Sequence, residues 1–276
     1  MNQMGVRRIR EAGRAIIPSR EIIQLTYPLI RMVGRLLTFI LLGPVFLQAL
    51  SSQAGEIVFE SKPTRTHLLE LFTSEGCSSC PPAEAWLSNL KKEAQLWRDF
   101  IPITFHVDYW DHLGWRDPFA SRMWTARQSE YSASWQSNAV YTPGFVLDGR
   151  EWKSRGLPSP SAEAAGVLRI TLLNGDRVTV SFQPTSGGGR DYEIHVARLG
   201  FGLSTDVKAG ENRGRKLLHE FVVLSLTNEG MNGGTKELRF PTMTSKQNGD
   251  SRSALAAWVT EAGQIAPIQA VGGWLP

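Results

Sequence analysis

The chain has 276 residues, 20% of them charged and 42% hydrophobic, which fits a globular protein with a substantial core in one or two domains. Its formal charge of +4 is confined to residues 1–54, which hold seven Arg and two Glu, while residues 55–276 carry 23 basic and 24 acidic side chains. Nucleic-acid binding is excluded on that ground, because it needs Lys and Arg clustered on the folded part.

The first stretch reads as an export leader. Arg31 and Arg35 precede the apolar run Leu36–Leu47, and Ser52-Gln53-Ala54 supplies the small-x-small pattern of a cleavage site. The run is short for a membrane span and Pro44 interrupts it. Residues 1–31 are long for the segment that precedes such a run, and Met32 would begin an ordinary signal peptide. The expectation is a leader over 1–54, cleaved near Ala54, with a true start at Met32 and an uncleaved inner-membrane anchor as the alternative. Either way the folded part lies outside the cytoplasm, where a disulfide can persist. No second membrane span is read, and no stable insertion is expected unless the leader is retained.

From Gly55 the predicted elements are a short strand at Ile57–Phe59, a buried strand at Thr66–Phe72, and an amphipathic helix from Ala83 to Trp97. The helix carries Trp86, Leu87, Leu90, Ala94 and Trp97 on one face. Ile101–Val107 is a second buried, parallel strand. An aromatic loop, Tyr109–Pro118, leads into a helix over 118–135 with Asp117 as N-cap and Phe119, Met123, Trp124, Ala126 and Tyr131 as its buried stripe. Phe145–Leu147 is a strand, and Asp148-Gly149 a hairpin turn into Glu151-Trp152. Past Arg155, Pro158-Ser159-Pro160-Ser161 reads as a linker, with a helical turn at Ala162–Val167. Strands follow at Leu168–Leu173, Arg177–Phe182, Tyr192–Leu199, Leu217–Leu226, Lys236–Phe240, Ala256–Thr260 and Ile265–Val271, with a loop at Gly187-Gly188-Gly189. That spacing argues an antiparallel β-sandwich.

The chemistry centres on Leu68–Pro82, where an apolar strand breaks into Thr73-Ser74-Glu75-Gly76 and then Cys77-Ser78-Ser79-Cys80-Pro81-Pro82. These are the only two cysteines, and they sit where a helix begins. Unpaired N–H groups and the helix dipole favour an anion there, so Cys77 ionises more readily than a free thiol. Reactive thiols in such settings have pKa values of about 3.5–7.5 against about 8.5 unperturbed. The expected roles are Cys77 as exposed nucleophile and Cys80 as the deeper, resolving cysteine, the pair closing to a Cys77–Cys80 disulfide. A purely structural bridge over so small a loop would gain little from loop closure. Glu75, two residues before Cys77, either raises the thiol pKa or faces solvent, and the solvent reading is taken. The carboxylates and imidazoles of His106–Asp117 are candidates for a proton shuttle, Asp108 above all, or for metal ligation by His106 or His112 with the thiolates. No spacing in that loop makes a ligand set by itself, so no metal and no cofactor is assigned. Tyr109 and Trp110 suit packing or a peptide groove. His67, His195 and His219 are read as structural. Neither a Ser/His/Asp triad nor a nucleotide-binding fingerprint is present.

The Cys77–Cys80 junction resembles the thioredoxin superfamily, and His106–Phe119, reading HVDYWDHLGWRDPF, is similar to the exported bacterial proteins of the DUF1223 family. The resemblance is strong over Thr66–Arg150 and weak beyond. It implies a thioredoxin-like α/β domain over 55–156 and fits the β-sandwich-like domain read over 157–276; the first half lacks an obvious final strand pair and helix, so a sheet shared by the two domains is the alternative. It also implies that Thr142-Pro143 is the cis-proline loop that faces the cysteines and pairs with an extended substrate. The function so implied is a periplasmic or secreted thiol–disulfide oxidoreductase acting on protein thiols or on a redox partner protein. The alternative is a non-catalytic thioredoxin-like binding module or a copper-handling protein.

Overall fold

The computed structural model describes residues 56–154, 156–174, 176–185, 189–232, 234–239 and 252–276. The leader, the Met32 start, the cleavage site at Ser52-Gln53-Ala54 and most of the Gly187–Gly189 loop lie outside them. In chain order the elements are β1 (Ile57–Glu60), β2 (His67–Thr73), α1 (Cys80–Asn89), β3 (Phe100–His106), α2 (Arg122–Ser134), β4 (Gly144–Leu147) and β5 (Arg150–Glu151). There follow β6 (Val167–Asn174), β7 (Arg177–Gln183), β8 (Tyr192–Gly200), β9 (Leu203–Asp206), β10 (Lys216–His219), β11 (Val222–Met231), β12 (Gly234–Arg239), β13 (Ser253–Glu261) and β14 (Pro267–Trp274).

These strands correct the expected fold class. The described residues are 46% strand and 14% helical, with two α-helices, which is a mostly β protein and not the expected thioredoxin-like α/β fold. One eight-stranded mixed sheet runs β14-β13-β8-β11-β3-β2-β4-β5, and a four-stranded antiparallel sheet runs β1-β6-β7-β12. Reading each half by its own periodicity misses two long-range pairings. Strand β11 pairs parallel beside β3, with Thr104 N–H donating to Phe221 O at 2.8 Å, and β1 pairs antiparallel with β6. The 156/157 boundary therefore falls between β5 and β6, and both sides of it contribute to these two sheets, while β9 and β10 pair only with each other.

Two apolar cores follow from strand alternation. Along β13, Ala254, Ala256 and Trp258 join the core formed by β2, β3 and both helices. Leu255, Ala257 and Val259 join the core shared with β6, β7 and β12. Strand β3 is buried at every residue because neighbours flank it and both its faces are covered.

Smaller corrections have local causes. Helix α1 starts three residues early, at Cys80, and gives way to a 3-10 turn at Leu90–Lys92; Trp97 lies beyond it with φ 66°. Helix α2 is capped by Ser121, whose hydroxyl accepts from Met123 N–H at 3.2 Å, because Asp117 is buried elsewhere; Met123 is exposed. The expected strand Leu217–Leu226 is broken between β10 and β11 by Phe221 at φ 58°. The helical turn at 162–167 is instead a bridge from Thr64 to Ala164 followed by β6. The hairpin turn holds, Asp148 and Gly149 both taking positive φ.

A buried ion pair fixes α2 against β2. Arg127 donates from Nε to Glu70 Oε2 at 2.6 Å and from Nη2 to Oε1 at 3.0 Å, and Tyr131 bonds the same carboxylate.

Candidate functional site at the Cys77–Cys80 turn

Strand β2 ends at Thr73, and the chain turns twice before α1. Cys77 N–H donates to Ser74 O at 3.1 Å and Cys80 N–H to Cys77 O at 3.2 Å. Helix α1 then opens on Cys80-Pro81-Pro82, where prolines cost little because the first-turn N–H groups have no helical acceptor. Gly76 is required by contact: a Cβ there would sit 2.8 Å from Trp110 Cβ.

Both cysteines are free thiols, so the Cys77–Cys80 disulfide of the sequence reading is open here. The expected exposure of Cys77 is corrected: 1% of Cys77 and 0% of Cys80 is accessible. The two thiols are nonetheless driven apart in acidity. Cys77 is lowered to about 6, first by a hydrogen bond from Cys80 and then, against the effect of burial, by Ser79 and Thr142. Its Sγ lies 3.2 Å from Ser79 Oγ and 3.7 Å from Thr142 O. Cys80 is pushed far up, by burial first and by Cys77 second, with the Thr73 hydroxyl opposing.

The Thr142-Pro143 peptide is cis, and Trp110 Nε1 donates to Thr142 Oγ1 at 2.7 Å, tying the aromatic loop to it. Tyr109 donates to Gln128 Oε1 at 3.2 Å, and burial raises its phenol above the ordinary value. Asp108 accepts the Thr125 hydroxyl at 2.6 Å, which turns it toward α2. His112 is exposed and bonds Tyr109 O. Glu75 corrects the solvent reading outright. It is fully buried, accepting from Trp115 Nε1 at 2.6 Å and meeting His219 Nε2 at 3.0 Å.

Sequence reasoning missed the residues that come from elsewhere. The β9–β10 loop folds over the cysteine turn: Glu211 Oε2 accepts from Ser78 N–H at 2.9 Å, and Asn212 Nδ2 donates to the carbonyls of Glu75 and Cys77. His219, read as merely structural, lies between two carboxylates, with Nδ1 2.6 Å from Glu84 Oε2. Burial pushes its pKa down, but hydrogen bonds to Glu75 and Glu84 hold it up at about 10. Glu84 Oε1 also accepts the Thr73 hydroxyl at 2.6 Å. Beside it, His106 Nδ1 is 2.7 Å from Asp117 Oδ2, which also accepts from Glu75 N–H at 2.9 Å. Burial raises the Asp117 carboxyl, but His106 first, and then the N–H groups of Glu75 and Phe119, bring it below the ordinary value. One signal for Glu84 was available: it stands one helical turn after Cys80, on the same face of α1.

Among the described residues, the grouping that could ligate a metal is Glu84, His106 and His219, and neither sulfur belongs to it. No helix of the described residues is long and apolar enough to cross a membrane.

Comparison with known proteins agrees with a shared fold. The X-ray structure of protein AGR_C_4864 from Agrobacterium tumefaciens is similar at a TM-score of 0.53 and 24% identity, over 78% of this chain and 96% of that one. HBP35 of Porphyromonas gingivalis is similar at a TM-score of 0.51 and 12% identity, over 78% and 76%. At these identities the likeness is one of fold. No curated protein matches the chain. The pattern described as "Protein of unknown function (DUF1223)" matches residues 68–260, from within β2 to within β13, and the chain therefore belongs to the DUF1223 family.

Proposed function

We infer that the protein is a thiol–disulfide oxidoreductase that acts on protein thiols outside the cytoplasm. The observation that carries this reading is two free thiols at the start of α1, with Cys77 Sγ 3.7 Å from Thr142 O beside the cis Thr142-Pro143 peptide; their opposed acidity, Cys77 lowered and Cys80 raised, agrees with it. A thiolate at neutral pH attacks a substrate disulfide, forming a mixed disulfide and releasing one substrate sulfur as thiolate. Cys80 then gives up its proton and attacks Cys77 Sγ, which releases the second substrate sulfur. The substrate gains two electrons, the Cys77–Cys80 disulfide forms, and the Cys80 proton ends on the departing thiolate. The reverse sequence oxidises a dithiol. Thr142 and Pro143 border the thiol where an extended substrate would lie, and the Glu211–Asn212 segment must lift for a partner to reach Cys77.

A glutathione redox titration of the protein, read by the mass of alkylated thiols, tests the reading. A reversible two-electron transition between about −120 and −270 mV is expected; a disulfide intact below about −300 mV would mark the bridge as structural. Cys77→Ser should abolish mixed disulfides with substrate proteins, and Cys80→Ser should accumulate them.

The burial of Cys77 favours a second reading, a binding module without turnover. In that case the β9–β10 loop stays closed, and native reduced protein resists alkylation while denatured protein does not. Nothing in the ligand geometry favours copper handling through the sulfurs.

A further inference from the structure

We propose that Glu84, His106 and His219 bind one divalent transition cation of the zinc type, and that this ion ties α1 to the sheet behind the cysteine turn. The proposal stands apart from thiol exchange, since neither sulfur takes part.

The three residues come from three elements: Glu84 from α1, His106 from the last position of β3, and His219 from the last position of β10. One ligand atom from each lies within 4.8 Å of the others. The imidazoles are wholly buried, and Glu84 nearly so. The second observation is independent of that clustering. His106 Nε2 has no hydrogen-bond partner, although its side chain is sealed from solvent. Because Nδ1 faces the Asp117 carboxylate, Nδ1 carries a proton, and in the neutral ring that binds a metal Nε2 presents a bare lone pair. An unpaired buried acceptor costs free energy that a cation would recover.

The surroundings match what metal-binding histidines need. Such residues characteristically give the other ring N–H to a carboxylate, which fixes the tautomer and raises basicity. His106 has Asp117 in that place, and His219 has Glu75 at 3.0 Å from Nε2. Both carboxylates are themselves oriented, Asp117 by Glu75 N–H and Glu75 by Trp115 Nε1. His219 Nδ1 and Glu84 Oε2 are 2.6 Å apart. A zinc ion replacing the proton between them needs that gap to open to about 3.3 Å, given bonds of about 2.0–2.2 Å.

Charge points the same way. Three buried carboxyl groups, from Glu75, Glu84 and Asp117, meet two imidazoles in this cluster. The proton that His219 holds between Glu75 and Glu84 offsets part of this charge, and a dication taking its place offsets more of what burial penalises. Two imidazoles and a carboxylate form a borderline-soft donor set that suits zinc and leaves one tetrahedral position for water. Phe119 packs edge-on against both rings, at 5.3 and 5.4 Å. Glu84 also lines a surface cleft with Ala85, Arg215 and Lys216.

The test uses the full chain carrying Cys77→Ser and Cys80→Ser, which removes thiolate binding. Equilibrium dialysis against Zn2+, with metal counted by mass spectrometry, should give one ion per chain. Adding His106→Gln should weaken binding at least tenfold. Asp117→Asn, which keeps the side-chain shape, should weaken it by about 10–100-fold. Co2+ bound to the double cysteine variant should show the intense visible bands of a four-coordinate site. Absence of zinc binding in that variant, unchanged affinity in His106→Gln and Asp117→Asn, or a pale six-coordinate cobalt spectrum would each overturn the proposal.

Discussion

Asn212 Nδ2 donates to the carbonyl of Cys77 at 2.9 Å, across 135 residues of sequence, and to that of Glu75 at 2.8 Å. Arg215 Nη1 in turn holds Asn212 Oδ1 at 2.7 Å. A single buried amide thus clasps the cysteine turn. Asn212→Ala should strip the Glu75 carbonyl of this donor, leave the Cys77 carbonyl with Cys80 N–H alone, and lower stability by about 1–3 kcal/mol. It should also raise the alkylation rate of reduced Cys77 several-fold at fixed pH. Rates equal to those of the unaltered protein would show that this loop does not cover the thiol.

Alkylation of Cys77 followed against pH should give a midpoint near 6. Since the first cause of that value is the hydrogen bond from Cys80, Cys80→Ala should move the midpoint up toward about 8.5, the free-thiol value. Cys80→Ser keeps a donor and should move it less. The lowered value also stabilises the fold above the unfolded thiol's pKa, a contribution lost as pH falls through about 6.

The pair Glu70–Arg127 is buried, and Arg127 lies over the Trp258 ring at 5.2 Å. Glu70→Ala strands the guanidinium and should cost about 3–5 kcal/mol, measured by urea unfolding. A loss under 1 kcal/mol would show that solvent reaches Arg127 readily.

His195 is stacked on Trp258 with ring centroids 5.1 Å apart and planes at 8°. Burial first, and the charge of Arg127 second, lower its pKa from 6.5 to about 3. The unfolded chain therefore binds a proton that the folded chain refuses. Stability from this residue is complete above pH 6.5 and falls as pH drops toward 3. His195→Phe should flatten the acid limb of a stability-versus-pH curve; an identical slope would assign that limb to other groups.

The sequence disclosed what lies close along the chain. The apolar run of β2, the two prolines opening α1, and Asp148-Gly149 at the hairpin each state their local geometry. The cysteine pair announces itself in the same way. What it could not disclose is partnership at a distance. Nothing in Leu217–Leu226 says that Phe221 breaks the run and that Val222 then lies beside Thr104. The fold class was misread for that reason, although the lack of a final strand pair in the first half already pointed to a sheet shared between the halves. The site was half legible for the same reason. Asp117 reads as an N-cap because an acid before Pro118 usually is one, yet His106 claims its carboxylate. Glu75 reads as solvent-facing until Trp115 and His219 close over it.

The parallel join of β11 to β3 means that the cysteine segment is not a portable cassette. Excising residues 55–156 would uncover the edge of β3 at Thr104, where Phe221 and Val222 now pair with it, and leave buried side chains of β3 open to self-association. The same cut would discard Asn212 and His219. Whatever chemistry these thiols perform is therefore inherited only with the whole folded chain, and gene fusions or truncations that carry the motif alone should transfer none of it.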